Sequence, residues 1–307
     1  MRWGEGGRYC LDFSRPLLMG ILNVTPDSFS GDGVAGDVTA AVGRGVELAR
    51  NGADVVDVGG ESTRPGADAV SVAEELSRII PVVRALSRRL EIPVSVDTSK
   101  PEVMEEALLA GAAMINDVSA LGVVDASGGV AVAVDGAEAE AEEHLLDRRK
   151  VSLLAGLDVP VCLMHRRGTP KGMQDNPWYR DVVREVYHFL ERRIAACRKG
   201  GIDRRRLIVD VGIGFGKSAG HNLELMRHHG MFSGLGQPLM LGVSRKRIVG
   251  HLSGVADPGM RDTASHALAV LGMRTGVRMF RVHDVAGARQ ALTAAWGWMN
   301  DGERRKR

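Results

Sequence analysis

IPVSVDTSKPEVMEEALLAGAAMINDV, residues 92–118, decides the fold. An apolar run over 92–96 ends on Asp97, and a second over 112–115 ends on Asn116 and Asp117. Between them lie good helix formers over 101–110. Pro101 stands where a helix starts, because the first turn needs no amide from it, with Ser99 as the expected cap. Gly111 follows the stretch, as glycine does past a helix end. Short runs without alternation read as strands buried on both faces, which is the habit of parallel sheets. The unit is therefore strand, helix, strand.

The unit repeats along the chain. Eight apolar runs stand out, at residues 17–22, 55–58, 92–96, 112–115, 159–164, 207–209, 239–243 and 277–280. Longer amphipathic stretches at 38–51, 72–90, 101–110 and 181–199 separate several of them, with Gly52, Gly111 and Gly200 at their ends. Alternating strands and helices mean α/β with a parallel sheet. Eight repeats favour a closed (β/α)8 barrel, the TIM barrel, over an open doubly wound sheet. The expected organisation is one domain over residues 1–301, with an excursion after strand four at 122–150 and a frayed basic tail at 302–307. Residues 9–13 are expected to form a short hairpin closing the barrel bottom.

Every run leads into polar residues: Asn23, then residues 61–64, Asp97, Asn116 with Asp117, His165, Asp210, residues 244–246, and Arg281 with His283. Strands that leave toward solvent end on polar residues anyway, so one or two exits mean little. In a (β/α)8 barrel, however, all eight C-terminal strand ends converge on the face that carries the active site.

Composition narrows the class. The 307 residues are 44% hydrophobic and 25% charged, with a net charge of +2. Such a balance gives no global reason to bind nucleic acid or an anionic membrane surface. Cys10, Cys162 and Cys197 are scattered and odd in number, which argues against a disulfide framework or a zinc ribbon. No signal-peptide core opens the chain and no apolar run is long enough to span a bilayer, so a cytoplasmic protein is expected. GIGFGKS is not a phosphate-binding P-loop, because Val211 stands where that motif needs its first glycine.

Several of these segments together resemble the signature motifs of the dihydropteroate synthases: MGILNVTPDSF (19–29), DVGGESTRPG (57–66), VDTSKP (96–101), INDV (115–118), MHRRGTP (164–170), GIGFGK (212–217), SRK (244–246) and RVHDV (281–285). The resemblance implies a (β/α)8 enzyme of folate synthesis that joins 6-hydroxymethyl-7,8-dihydropterin pyrophosphate to p-aminobenzoate. Its mechanism is dissociative: pyrophosphate leaves first and the arylamine attacks a pterin-stabilised cation.

A carboxylate can accept two adjacent pterin N–H donors at once, which makes Asp210 the candidate for the pterin edge. Asn116 can both donate and accept. Asp97 completes the pocket floor, Lys246 donates to the ring, and Met164 and Phe215 supply apolar walls. A core role for Phe215 stays open, as does a structural role for Asp97 and Asp210. The family likeness places Asn23, Arg281 and His283 at the pyrophosphate, with Mg2+ on Asn23. It places Thr63, Arg64, Pro65 and Ser244 around p-aminobenzoate, and loops carrying Asp27 and Phe29 over the site. Lys246, Arg281 and Asp97 are the expected catalytic residues. The likeness also implies a homodimer and a sulfonamide target. Cys162, inside a strand, reads as core.

Three departures from the family pattern stand out. Val211 replaces a usual proline, the first loop reads FSGDG rather than FSDGG, and residues 122–150 make the chain longer there by about 20 residues, a tolerable surface insertion. Two other readings compete: a methyltransferase-like pterin enzyme, against which STRPG and SRK argue, and a non-catalytic pterin-binding paralogue.

Overall fold

The computed structural model describes residues 1–307 except 5–7, 26–36, 63–65, 126–127, 131–144 and 305–307, and no side chain beyond residue 300. Eight parallel strands close into a barrel: β3 (Leu17–Asn23), β4 (Val55–Gly59), β5 (Val94–Asp97), β6 (Met114–Asp117), β7 (Val161–Met164), β8 (Leu207–Asp210), β9 (Leu239–Leu241) and β10 (Val277–Val282), with β10 pairing β3. The helices around it are α1 (Val38–Arg50), α2 (Val72–Arg89), α3 (Pro101–Leu109), α4 (Arg148–Ala155), α5 (Val182–Lys199), α6 (Ala219–Arg227), α7 (Arg247–Ser253), α8 (Asp262–Arg274) and α9 (Val285–Arg304). None of the described helices is long and apolar enough to cross a membrane.

Alternation along each strand sorts the side chains into two cores. Leu18, Leu22, Val56, Val58, Val94 and Val96 face the helices. Leu17, Met19, Val55, Met114, Cys162, Ile208, Met240 and Met279 fill the lower barrel interior together with Leu11 and Phe13. Methionine and cysteine suit an irregular interior because their side chains are adaptable and soft. Residues 9–13 do not form the expected hairpin on their own: β2 (Leu11–Asp12) pairs antiparallel with β1 (Arg2–Trp3), which lies before the expected range, and Leu11 and Phe13 cap the barrel from below. With the bottom sealed, the same inward register continues upward into Asp57, Asp97, Asn116, Asp210 and Arg281.

Local chemistry shifts several expected boundaries. β5 and β7 begin after Pro93 and Pro160, which lack the amide that a ladder needs, though both carbonyls still accept, from Val56 and Ile115. The residue capping α3 is Lys100, without a side-chain cap bond, and not Ser99. Gly52 and Gly111 follow their helices in the left-handed region, at φ +97° and +105°. At α5 that role falls to Gly201 (φ +92°), while Gly200 is the cap itself at φ −75°. The last helix runs to Arg304, beyond the expected end at 301.

The excursion after β6 is also shorter than expected. Asp147 caps α4 through its side chain, so residues 148–150 belong to a barrel helix. Lys150 is fully buried. Its ammonium donates to Ser119 Oγ (2.9 Å) and to the Gly122 carbonyl (2.9 Å), and pairs with Asp117 at 3.3 Å. Asp117 in turn accepts from the amides of Ser119 (2.7 Å) and Leu121 (3.1 Å). This clamp holds Ala120 and Leu121 at φ 51° and 58°, a conformation that costs a residue with a side chain energy.

Removing one member of a buried pair leaves the other charge uncompensated. Lys150→Met should therefore lower unfolding stability by about 3–5 kcal/mol in urea denaturation. A loss below about 1 kcal/mol would mean that the turn holds without the pair.

Candidate active site

The barrel mouth opens into a cavity of about 1010 Å3, lined by Asn23, Glu61, Ser62, Asp97, Phe215, Ser244, Lys246, Arg281 and His283, among others. That volume accommodates two ring systems rather than one. The floor is a charge network. Arg281, on β10, donates from Nε to Asp57 Oδ2 (2.7 Å) and from its Nη2 to Asp97 Oδ2 (2.8 Å). Asn116 donates to the same Asp57 oxygen at 3.0 Å. The second oxygens, Oδ1 of Asp57 and of Asp97, are buried without a hydrogen-bond partner.

These contacts set the charges. Burial alone would lower the guanidinium pKa of Arg281, but Asp57 and Asp97 outweigh it and push it above its ordinary value. Burial pushes Asp97 up, opposed by Arg281 and reinforced by Asp57. Burial also raises Asp210, against Lys246 and the Gly212 amide, which donates to Asp210 Oδ1 at 2.8 Å. Arg281 was expected at the pyrophosphate with Asn23 and His283; here its hydrogen bonds run to the two carboxylates, and its side chain still lines the cavity.

Asp57 was not singled out from the sequence, although a carboxylate inside VVDV is itself a signal: on an inward position it must find a cation. Gly242 was missed too. A Cβ there would stand 3.8 Å from Arg281 Cβ, Asp210 Oδ2 and Lys246 Nζ alike, so glycine leaves the space between three charged groups open.

Lys246 reaches the cavity through a strained turn. Arg245 sits at φ +60° and is held there by two hydrogen bonds to Asp262, at 2.7 Å each. Lys246 Nζ then donates to the Ile213 carbonyl (2.8 Å) and lies 4.6 Å from the centre of the Phe215 ring. Burial pulls its pKa down to about 8 despite Asp210 nearby. Phe215 therefore lines the open site and is not a core aromatic.

The turn that presents Phe215 is fixed from behind by Lys217, another residue that sequence reasoning passed over. Its Nζ lies 2.9 Å from His165 Nδ1 and from the Gly212 carbonyl, and 3.0 Å from the Phe215 carbonyl. Burial lowers the pKa of both side chains. All of the partners of Lys217 are acceptors, however, which is the setting of an ammonium against a neutral imidazole. Gly212 must be glycine, since a Cβ would fall 1.9 Å from the His165 carbonyl oxygen. The adjacent Val211, the departure from the family pattern, packs into the helix-facing core.

Ser244 was expected beside p-aminobenzoate. Its hydroxyl accepts from the His283 amide (3.2 Å) and lies 3.0 Å from His283 Nδ1. It is 6% exposed, supports His283 and lines the cavity. Asn116 (3% exposed), Met164 (4%) and Asp210 (4%) are buried at the strand ends, beneath the residues that line the cavity. Cys162 is core, and burial together with Asp210 and Asp57 pushes its thiol up. Thr63, Arg64, Pro65, Asp27 and Phe29, with the altered FSGDG loop, lie outside the described residues.

Comparison with known proteins agrees with this geometry. Residues 19–283 match the family of pterin binding enzymes. The dihydropteroate synthase of Escherichia coli K12 is 42% identical over 92% of this chain and 91% of its own length. The enzyme of Xanthomonas albilineans, solved in complex with 7,8-dihydropteroate, superposes with a TM-score of 0.79 at 41% identity, covering 97% of this chain and 99% of that one. The Yersinia pestis enzyme, solved with a sulfonamide drug complex, gives 0.85 at 38% identity, covering 98% and 100%. By fold, by the motifs at its strand exits and by identity over nearly its whole length, the chain belongs to the dihydropteroate synthases.

Proposed function

We propose that the chain condenses 6-hydroxymethyl-7,8-dihydropterin pyrophosphate with p-aminobenzoate, giving 7,8-dihydropteroate and pyrophosphate. The observation that carries this reading is the polarity of the barrel mouth. Carboxylates (Asp57, Asp97, Asp210) and an amide (Asn116) occupy its depth, while cations (Lys246, Arg281) and His283 face the cavity. A pterin brings N–H donors to the first set, and a diphosphate brings charge to the second. The unpartnered oxygen of Asp97, a residue that lines the cavity, is an acceptor in search of such donors.

In this reading the pterin ring settles with its donors on Asp97 and Asp210 and a face against Phe215. Lys246, Arg281 and His283 stabilise charge developing on the departing pyrophosphate, which is the larger part of the acceleration. Substrate closing the mouth excludes water from the cation left on the pterin methylene. The arylamine then attacks that carbon, and no covalent enzyme intermediate is needed. Thr63, Arg64 and Pro65 supply the arylamine side of the site.

Mg2+ is the proposed cofactor. Its donor set here would be Asn23, which lines the cavity, together with water and diphosphate oxygens. No cluster of three or more metal-ligating side chains exists among the described residues, which suits a hard ion held mainly by substrate. When bound, Mg2+ would neutralise diphosphate charge. The exposed Leu271 and Trp298 on the mutually packed α8 and α9 support a homodimer, and a cytoplasmic location fits this soluble chemistry. Sulfonamides would compete at the arylamine side.

Two outcomes test the assignment. Lys246 loses its proton as pH rises through about 8, so kcat/KM should fall on that basic limb. Lys246→Arg, which stays charged, should retain some activity and move the limb above about pH 10; an unmoved limb would remove Lys246 from the pH dependence. Arg281→Lys keeps one charge but cannot bridge both carboxylates. It should lower arylamine-dependent pyrophosphate release about 100-fold, and near-normal release would sink the proposed roles.

A further inference from the structure

The connection from β7 to α5, residues 165–181, touches three other connections around the mouth. Gln174 Nε2 donates to the Gly214 carbonyl (2.6 Å), and the Tyr179 hydroxyl donates to the Gly216 carbonyl (2.9 Å), on either side of Phe215. The Gly66 amide, at the end of the STRPG segment, donates to the Pro170 carbonyl at 3.0 Å. Pro170 is met from its other side by the excursion after β6. Gly128 lies against it so closely that a Cβ would stand 3.2 Å from Pro170 Cδ, and Gly128 adopts φ +78°, which a side chain disfavours.

Among the described residues of the excursion, several contacts hold that position. Val124 bridges Val130, Gly129 donates to Asp125 Oδ1 at 2.9 Å, and the Gly128 carbonyl accepts from Arg166 Nη2 at 2.7 Å. Arg166 is 3% exposed, next to the His165 that Lys217 engages, and its Nε has no hydrogen-bond partner.

We infer that the excursion is a brace for the arylamine side of the site, with Gly128 and Arg166 as positioning residues that fix Pro170 and, through it, the end of the loop at Gly66. The pterin edge hangs on the strand residues Asp97, Asn116 and Asp210, and the Phe215 turn is held by Lys217 as well as by Gln174 and Tyr179, so the pterin side does not hang on this brace alone. The excursion therefore sets arylamine affinity and leaves pterin affinity alone. This rests on the reading of Thr63, Arg64 and Pro65 as arylamine residues.

Two variants test it. Gly122 and Leu146 are antiparallel bridge partners, so replacing residues 123–145 with two glycines closes the gap by a hairpin turn and leaves the Lys150 clamp in place. Gly128→Val leaves the excursion but drives a side chain at Pro170. In both, the KM for p-aminobenzoate should rise about ten-fold while the Kd for the pterin pyrophosphate, measured by calorimetry, stays within about two-fold. An unchanged arylamine KM in either variant, or a parallel loss of both substrates, overturns the inference. Absence of turnover by the unmodified enzyme would instead overturn the proposed function.

Discussion

A guanidinium held between two carboxylates at the centre of the barrel is the constraint on which the site depends. Arg281 cannot lose its proton, and Asp57 and Asp97 cannot both be charged in that depth without it. The three groups therefore fix one another and fix the tops of β4, β5 and β10. Asn116 joins them from β6 by donating to Asp57. Four strands of the barrel are thus tied by side chains at the end where chemistry occurs, and by apolar packing at the other.

That arrangement leaves the site poised rather than satisfied. Each carboxylate gives one oxygen to the network and keeps the other buried and unpartnered. An unpaired buried polar atom costs roughly 1–3 kcal/mol. A ligand bringing N–H donors to Asp97, which lines the cavity, relieves its share of that cost on binding. The same logic explains the strained turn at Arg245. Its left-handed backbone is disfavoured alone, and the paired bonds to Asp262 hold it so that Lys246 points at the cavity.

Much of the architecture could be read from period and punctuation. The eight runs, the proline that starts α3 and the polar exits follow from local rules: buried strands are apolar, a proline opens a helix without loss, and barrel sites gather at one face. The misplacements are of another kind. Asp57 was hidden inside an apolar run because its significance depends on which face of the strand it occupies, and on an arginine 224 residues away. Lys150 looked like the end of a charged surface segment, yet its ammonium lies in the core because Asp117 and the Gly122 carbonyl meet it there. Ser244 carried the polarity that placed it at the cavity, while the His283 amide that its hydroxyl accepts from was visible only in the fold. In each case the residue type was informative and the partner, supplied by tertiary structure, was not.

Separating the barrel into a sealed lower half and a polar upper half also separates stability from function. Met19, Cys162, Met240 and Met279 can repack around small changes without touching the charges above them. The connections around the mouth have no such freedom. The turn at Phe215 is tied by Lys217 and by Gln174, the residue 174 connection is tied to Gly66, and the β6 excursion presses on Pro170. The Gln174–Gly214, Gly66–Pro170 and Gly128–Pro170 contacts each link two loops, and the Lys217–Gly212 bond stiffens one of them from within. A length change in one connection therefore reaches substrate through its neighbours, even where it contributes no atom to the cavity. An insertion at such a place alters how the arylamine side is held, while the pterin edge stays on Asp97, Asn116 and Asp210, strand residues tied into the barrel itself.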